Sequence, residues 1–100
     1  MTEDRATLAT SIETLTSLAT RHKQNSGIVA RDVLMFCVEP AWYPFDPSCL
    51  MSLDAKHAEC AVEAIRYVLT TRHSIQSLLD KDVFDELRAE WTQSRQDKAA

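Results

Sequence analysis

All three prolines of the chain stand between Pro40 and Pro47, and they divide it. Proline fixes its own φ, lacks the N–H that a helix interior needs and pushes the preceding residue out of the helical region, so no helix can run through Pro40, Pro44 or Pro47. The surrounding stretch, Val33 to Asp54, also holds Phe36, Trp42, Tyr43 and Phe45, four of the seven aromatic residues, together with Cys37 and Cys49. An apolar run enters this stretch and helical patterning resumes after it. The elements on either side must therefore pack around it.

On the N-terminal side, Leu8, Ile12, Leu15 and Leu18/Ala19 recur at helical spacing and predict an amphipathic helix from Thr2 to about Lys23. Glu3 and Asp4 suit its positive end, and Arg21, His22 and Lys23 its negative end. Its six threonines lower the intrinsic propensity, so the secure part is expected to begin near Ser11. Gln24 to Gly27 reads as a break, with Asn25 or Gly27 in the left-handed conformation. A second helix from near Ser26 carries Val29, Val33, Phe36 and Cys37 on one face. Ile28, Leu34 and Val38 widen that face until Pro40 stops the helix. A helix apolar on most sides belongs at the centre of a bundle.

Asp46-Pro47 is a helix-start signal, a capping carboxylate followed by the residue favoured at the first helical position, and predicts one short turn to Met51. Ser52 or Asp54 then caps a long helix from Ala55 to about Arg72. Its buried stripe is expected to be Ala58, Ala61/Val62, Ile65 and Val68/Leu69, and its wet stripe Lys56, Glu59, Glu63 and Arg66. Ser74 can cap a short segment from Ile75 to Leu79. Asp80 or Asp82 begins a last helix, in which Val83/Phe84, Leu87 and Trp91 repeat at helical spacing. The polar tail from Gln93 is expected to fray.

These features predict an all-α fold, a compact bundle of four to five helices with a Pro-rich connection between the second and third. It forms a single domain over residues 1–100 with an ordered core of about 8–93. The single glycine among 100 residues argues against hairpin-rich β architecture. Eleven basic against fifteen acidic side chains give a net charge of −4, which argues against direct nucleic-acid binding and makes a basic partner the easier fit. The absence of a secretory h-region, of an apolar run near the ~20 residues of a membrane span and of a paired cysteine framework predicts a cytoplasmic protein without a membrane partner.

Tyr43-Pro-Phe-Asp46, then Leu50 and Leu53-Asp54, Ile65-Arg66, and finally Phe84-x-x-Leu87-x-x-x-Trp91 resemble the pattern of an uncharacterised family of small helical proteins from proteobacteria, their plasmids and integrative elements. The resemblance spans roughly Ile12 to Trp91. The chain departs from the pattern at Glu39-Pro40, where the family has Asn-Gly, and at Pro47, where it has Leu, so it would be a divergent member. What the resemblance implies is a setting, mobile DNA, and no reaction.

Candidate chemistry is sparse. His57-Ala-Glu59 matches half of a zinc-deaminase signature, but no Pro-Cys-x-x-Cys follows. Cys37, Cys49, His57 and Cys60 could together ligate a structural zinc or supply a thiol, yet their spacing fits no strong motif, and buried cysteine packs as a small apolar group. No catalytic residue, cofactor or metal is assigned on this basis. Trp42 and Tyr43 are candidates for partner contact, since aromatic side chains concentrate at binding hot spots. Asp82, Glu86 and Glu90 fall at helical spacing, with Asp85 on the same side, and make a candidate acidic docking strip.

The expectation is a non-enzymatic protein-binding module. Its sharpest form is an anti-defence, anti-CRISPR-like inhibitor that lays an acidic surface on a partner's basic nucleic-acid-binding site. The alternatives are a small zinc or thiol protein using Cys37, Cys49, His57 and Cys60, and a homodimeric accessory factor pairing through the second helix or the Trp42 loop. Monomer and homodimer both remain open.

Overall fold

Each stretch of helical spacing becomes a helix, and the prolines separate the second helix from the third. The computed structural model describes the backbone of residues 2–21 and 25–99 and the side chains of residues 8–21 and 25–94. The described residues form four α-helices, α1 (Thr2–Arg21), α2 (Asn25–Val38), α3 (Ala55–Thr71) and α4 (Lys81–Ala99), with 3₁₀ turns at Pro47–Ser52 and Gln76–Leu78. No strand occurs among them. The all-α bundle with a Pro-rich link between its second and third helices is thus the fold. Its Cα radius of gyration of 12.7 Å is close to the ~13 Å of a compact chain this long. Among the described residues no helix is long and apolar enough to cross a membrane.

Leu8, Ile12, Leu15, Leu18 and Ala19 of α1 are all buried, as their spacing predicts. Three of the threonines are accommodated by hydrogen bonds back along the helix. Thr14 Oγ1 donates to the Thr10 carbonyl (2.9 Å), Thr16 to Ile12 (2.7 Å) and Thr20 to Thr16 (2.9 Å), so these hydroxyls are satisfied within the helix. The helix begins at Thr2, as the spacing predicts, and is described to Arg21. The roles expected for the side chains of Glu3, Asp4, His22 and Lys23 lie outside the described residues.

α2 is the hub. It meets α1, α3, α4 and the first 3₁₀ turn, and Val29, Ala30, Val33, Leu34, Met35, Cys37 and Val38 are all buried on it. Asn25 and Gly27 lie inside this helix, Gly27 buried in its first turn, and neither is left-handed. Only Arg72 has a positive φ among the described residues.

The end of α2 is closed from a distance. The last carbonyls of a helix lack intrahelical donors, and here the segment before the second 3₁₀ turn supplies them. Ser74 Oγ donates to the Val38 carbonyl (2.7 Å) and the Ile75 N–H to that of Cys37 (3.3 Å). Ser74 Oγ in turn accepts from the Gln76 N–H (3.0 Å), while the residue at the cap position of the second turn is Ile75, which makes no side-chain capping bond.

The carboxylate caps stand where the sequence puts them. Asp46 accepts from the Ser48 N–H (2.9 Å), Asp54 from the His57 N–H (2.9 Å) and Asp80 from the Asp82 N–H (2.8 Å). α3 ends on Arg72 (φ 60°, ψ 30°), whose N–H closes on the Val68 carbonyl at 2.9 Å. The expected stripe of α3 needs correction. Ala61, Ala64 and Val68 are buried, whereas Val62 and Leu69 are 54% and 60% exposed. The apolar arc of α3 is wider than the face its neighbours cover. α4 buries Leu87, half-buries Val83, Phe84 and Trp91, and continues to Ala99, past the fraying point expected at Gln93.

Candidate interaction surface

The Pro-rich link is held by alternate aromatics. Glu39 gives its carbonyl to the N–H groups of Trp42 and Tyr43 (both 3.1 Å), which turns the chain sharply after α2. Tyr43 then packs edge-on against Trp91 of α4, with ring centroids 4.8 Å apart and planes at 90°. Phe45 packs against Phe36 of α2 at 5.0 Å and 67°. Both geometries are favoured by the aromatic quadrupole. With Tyr43 and Phe45 turned inward, Trp42 is left outward and 73% exposed. Of the two aromatics expected to meet a partner, Trp42 is thus presented to solvent while the Tyr43 ring is committed to Trp91. Met51 of the first 3₁₀ turn is also exposed, which the sequence reading did not anticipate.

On α4 the buried Leu87 and half-buried Phe84 and Trp91 fix the inward side. With each residue turning about 100° around the helix, Asp82, Asp85 and Glu86 fall together on the opposite side, and all three are exposed. Glu90 is half-buried and sits at the border of this face. Trp91 lies within the inward side, between Leu87 and Phe84. The Tyr43 contact therefore ties the Trp42 loop to that side of α4, and the acidic face opens away from it.

The cysteine and histidine candidates do not assemble. Cys37 is buried in α2, and burial pushes its thiol up to about 12. Cys49 is half-buried, and its thiol is raised by burial, then by the nearby charges of Asp32 and Asp46. His57 lends its Nδ1 to Asp54 Oδ1 at 2.8 Å, beside the capping bond from its own N–H. The Asp46 and Asp54 carboxyls are held below the usual carboxylate range, first by the backbone N–H groups of Ser48 and His57 respectively. His57 edges a polar groove along α1 with Glu13, Ser17 and Arg21, whereas Cys60 lines a separate depression along α3. No group of three His, Cys, Asp or Glu side chains among the described residues is arranged to hold a metal ion.

This arrangement predicts an order of thiol reactivity, because the thiolate is the reacting form. In native protein at mildly alkaline pH, an aromatic disulfide reagent should modify Cys49 and Cys60 while Cys37 reacts only on unfolding. Equal rates for all three would contradict the packing around α2.

Arg31 is the residue that sequence reading missed. It is 7% exposed, and its Nε and Nη2 donate to Asp32 Oδ1 at 3.1 and 2.9 Å. An adjacent Arg31-Asp32 pair, the only charges in a mostly apolar helix, is the signal that could have found it. Compared with known protein families, curated proteins and solved structures, the chain finds no match in any of the three.

Proposed function

We propose that the protein is a non-enzymatic protein-binding module that presents the outward face of α4 to a basic site on a partner, with Trp42 as a separate anchoring contact. The observation that carries this reading is the joint exposure of Asp82, Asp85 and Glu86 on one face of α4, in a chain of net charge −4. Like charges at such spacing weaken a helix slightly. A basic partner would turn that repulsion into attraction and steer the encounter. The family resemblance supplies a mobile-DNA setting. In that setting the sharpest form of the reading is an anti-defence inhibitor, in which the acidic face occupies a surface that otherwise holds nucleic acid.

The test is a pull-down from host cells with identification of the retained protein, followed by competition against nucleic acid. Wild-type protein should retain a basic partner, release it at high salt and displace its nucleic acid. Changing Asp82, Asp85 and Glu86 together to lysine should lower affinity at least tenfold, about 1.4 kcal/mol. Trp42→Ala should weaken binding with little change in its salt dependence. Undiminished binding by the charge-reversed protein would remove the acidic-face reading.

A further inference from the structure

The residues of α3 that the core leaves uncovered follow a pattern of their own. Ala58, Val62, Ile65 and Leu69 succeed one another at spacings of four, three and four, the repeat that aligns a seam for a second helix. Val62 and Leu69 are exposed, and Ala58 and Ile65 are half-buried. A shallow depression runs over this part of α3, lined by Ala58, Glu59, Val62, Glu63 and Arg66 among others. One border of the seam is the core itself, through Ala61 and Val68. The other border is charged, with Glu59, Glu63 and Arg66, the last two paired at 3.1 Å.

We infer that this seam pairs with the same seam of a second copy of the chain, the two α3 helices running antiparallel about a two-fold axis. Such an axis between residues 63 and 64 puts Val62 level with the partner's Ile65 and Ala58 level with the partner's Leu69, so every seam residue meets an apolar one. The same register sets Arg66 between the partner's Glu59 and the partner's Glu63, and symmetry repeats the arrangement. Lys56 then lies near the C-terminal end of the partner's α3, where the helix dipole favours a cation. A parallel pairing, whose two-fold axis runs along the helices, would lay this charged border beside the partner's core border and form no such pairs. In the antiparallel register Glu63 and the partner's Glu63 adjoin at the axis, where the arginines at position 66, each already paired with the Glu63 of its own chain, offset them. Charge pairing across the seam is thus available in the antiparallel orientation only, and this singles out a second copy as the occupant. α2, whose apolar residues are spent inside the bundle, offers no comparable seam. A contact of one helix pair, each roughly 25 Å long, lies at the small end of stable interfaces. The dimer is therefore reversible and concentration-dependent.

Sedimentation velocity of the full chain from low micromolar to low millimolar concentration should show a monomer–dimer equilibrium. Val62→Glu with Leu69→Glu should abolish it while leaving the circular dichroism spectrum and unfolding midpoint of the monomer unchanged, since both side chains are exposed. Arg66→Glu alone, and Glu59→Arg with Glu63→Arg alone, should each weaken self-association at least tenfold, and an equimolar mixture of the two should form a mixed dimer. In an Ala58→Cys, Leu69→Cys protein, oxidation at a dimer-forming concentration should link residue 58 of one copy to residue 69 of the other. A monomer at every concentration, a dimer indifferent to Val62→Glu with Leu69→Glu, or links joining 69 to 69 would overturn the proposal.

Discussion

Leu34→Ala is expected to remove about 3 kcal/mol of folding stability, within the range for emptying a buried leucine site. At roughly 4–8 °C per kcal/mol for a domain of this size, that lowers the unfolding midpoint by roughly 12–24 °C. The large effect follows from position. Leu34 is fully buried on the helix that touches every other α-helix and the first 3₁₀ turn. A cavity there takes contacts from several elements at once, and the end of α2, pinned by Ser74 and Ile75, limits how far the helix can shift to fill it. Small domains hold only ~5–15 kcal/mol in total. Leu69→Ala, on the exposed side of α3, is the control, and should change stability by no more than about 0.5 kcal/mol when measured on dilute monomer. Comparable midpoints for the two variants in thermal unfolding followed by circular dichroism would show that α2 is not the hub.

The contrast between Leu34 and Leu69 also marks where sequence reading stops. α2 could be placed at the centre because its apolar residues surround most of the helix, and a fully apolar surface leaves few choices of what to bury. α3 has an apolar arc beside a charged one, and periodicity alone cannot say how much of that arc a neighbour will cover. Spacing alone therefore counts Val62 and Leu69 with Ala61 and Val68 in the core, whereas in the fold they lie one step around the helix from it and are exposed. Caps divide along the same line. Asp46, Asp54 and Asp80 act on N–H groups two or three residues ahead and are legible locally. The cap on α2 comes from Ser74, 36 residues beyond Val38, and only the folded chain brings it there. Arg72 took the left-handed position at the end of α3, where glycine or asparagine would have announced it. In the candidate surface, Trp42 and Tyr43 are adjacent and chemically alike. Which of them turns inward depends on Trp91 of α4, a partner far along the chain.

Asp32→Ala is expected to destabilise the protein by about 2–3 kcal/mol, more than Arg31→Met, which should stay within about 1 kcal/mol of wild type. The order looks inverted if the ion pair is taken as a simple attraction, since either change breaks it. It follows from what each change leaves behind. The Arg31 side chain is 8% exposed and that of Asp32 28%, so losing the carboxylate strands a guanidinium where water reaches it poorly. Losing the guanidinium leaves a carboxylate that solvent can still reach, and methionine can fill the vacated space with apolar contacts. Neighbours in sequence on a helix do not face each other, so the pair forms by Arg31 placing both Nε and Nη2 on one Asp32 oxygen. The double variant Arg31→Met with Asp32→Ala should accordingly recover most of what Asp32→Ala loses, which urea unfolding midpoints at constant slope would show. Cys49 gives a readout independent of stability. Its thiol is raised first by burial and next by the charge of Asp32, so Asp32→Ala should speed its modification at a given pH while Arg31→Met does not. If Asp32→Ala unfolds at the wild-type urea concentration and leaves Cys49 no more reactive, then the Arg31–Asp32 contact is a surface pairing, and the burial of Arg31 has to be explained by the packing of its aliphatic stem alone.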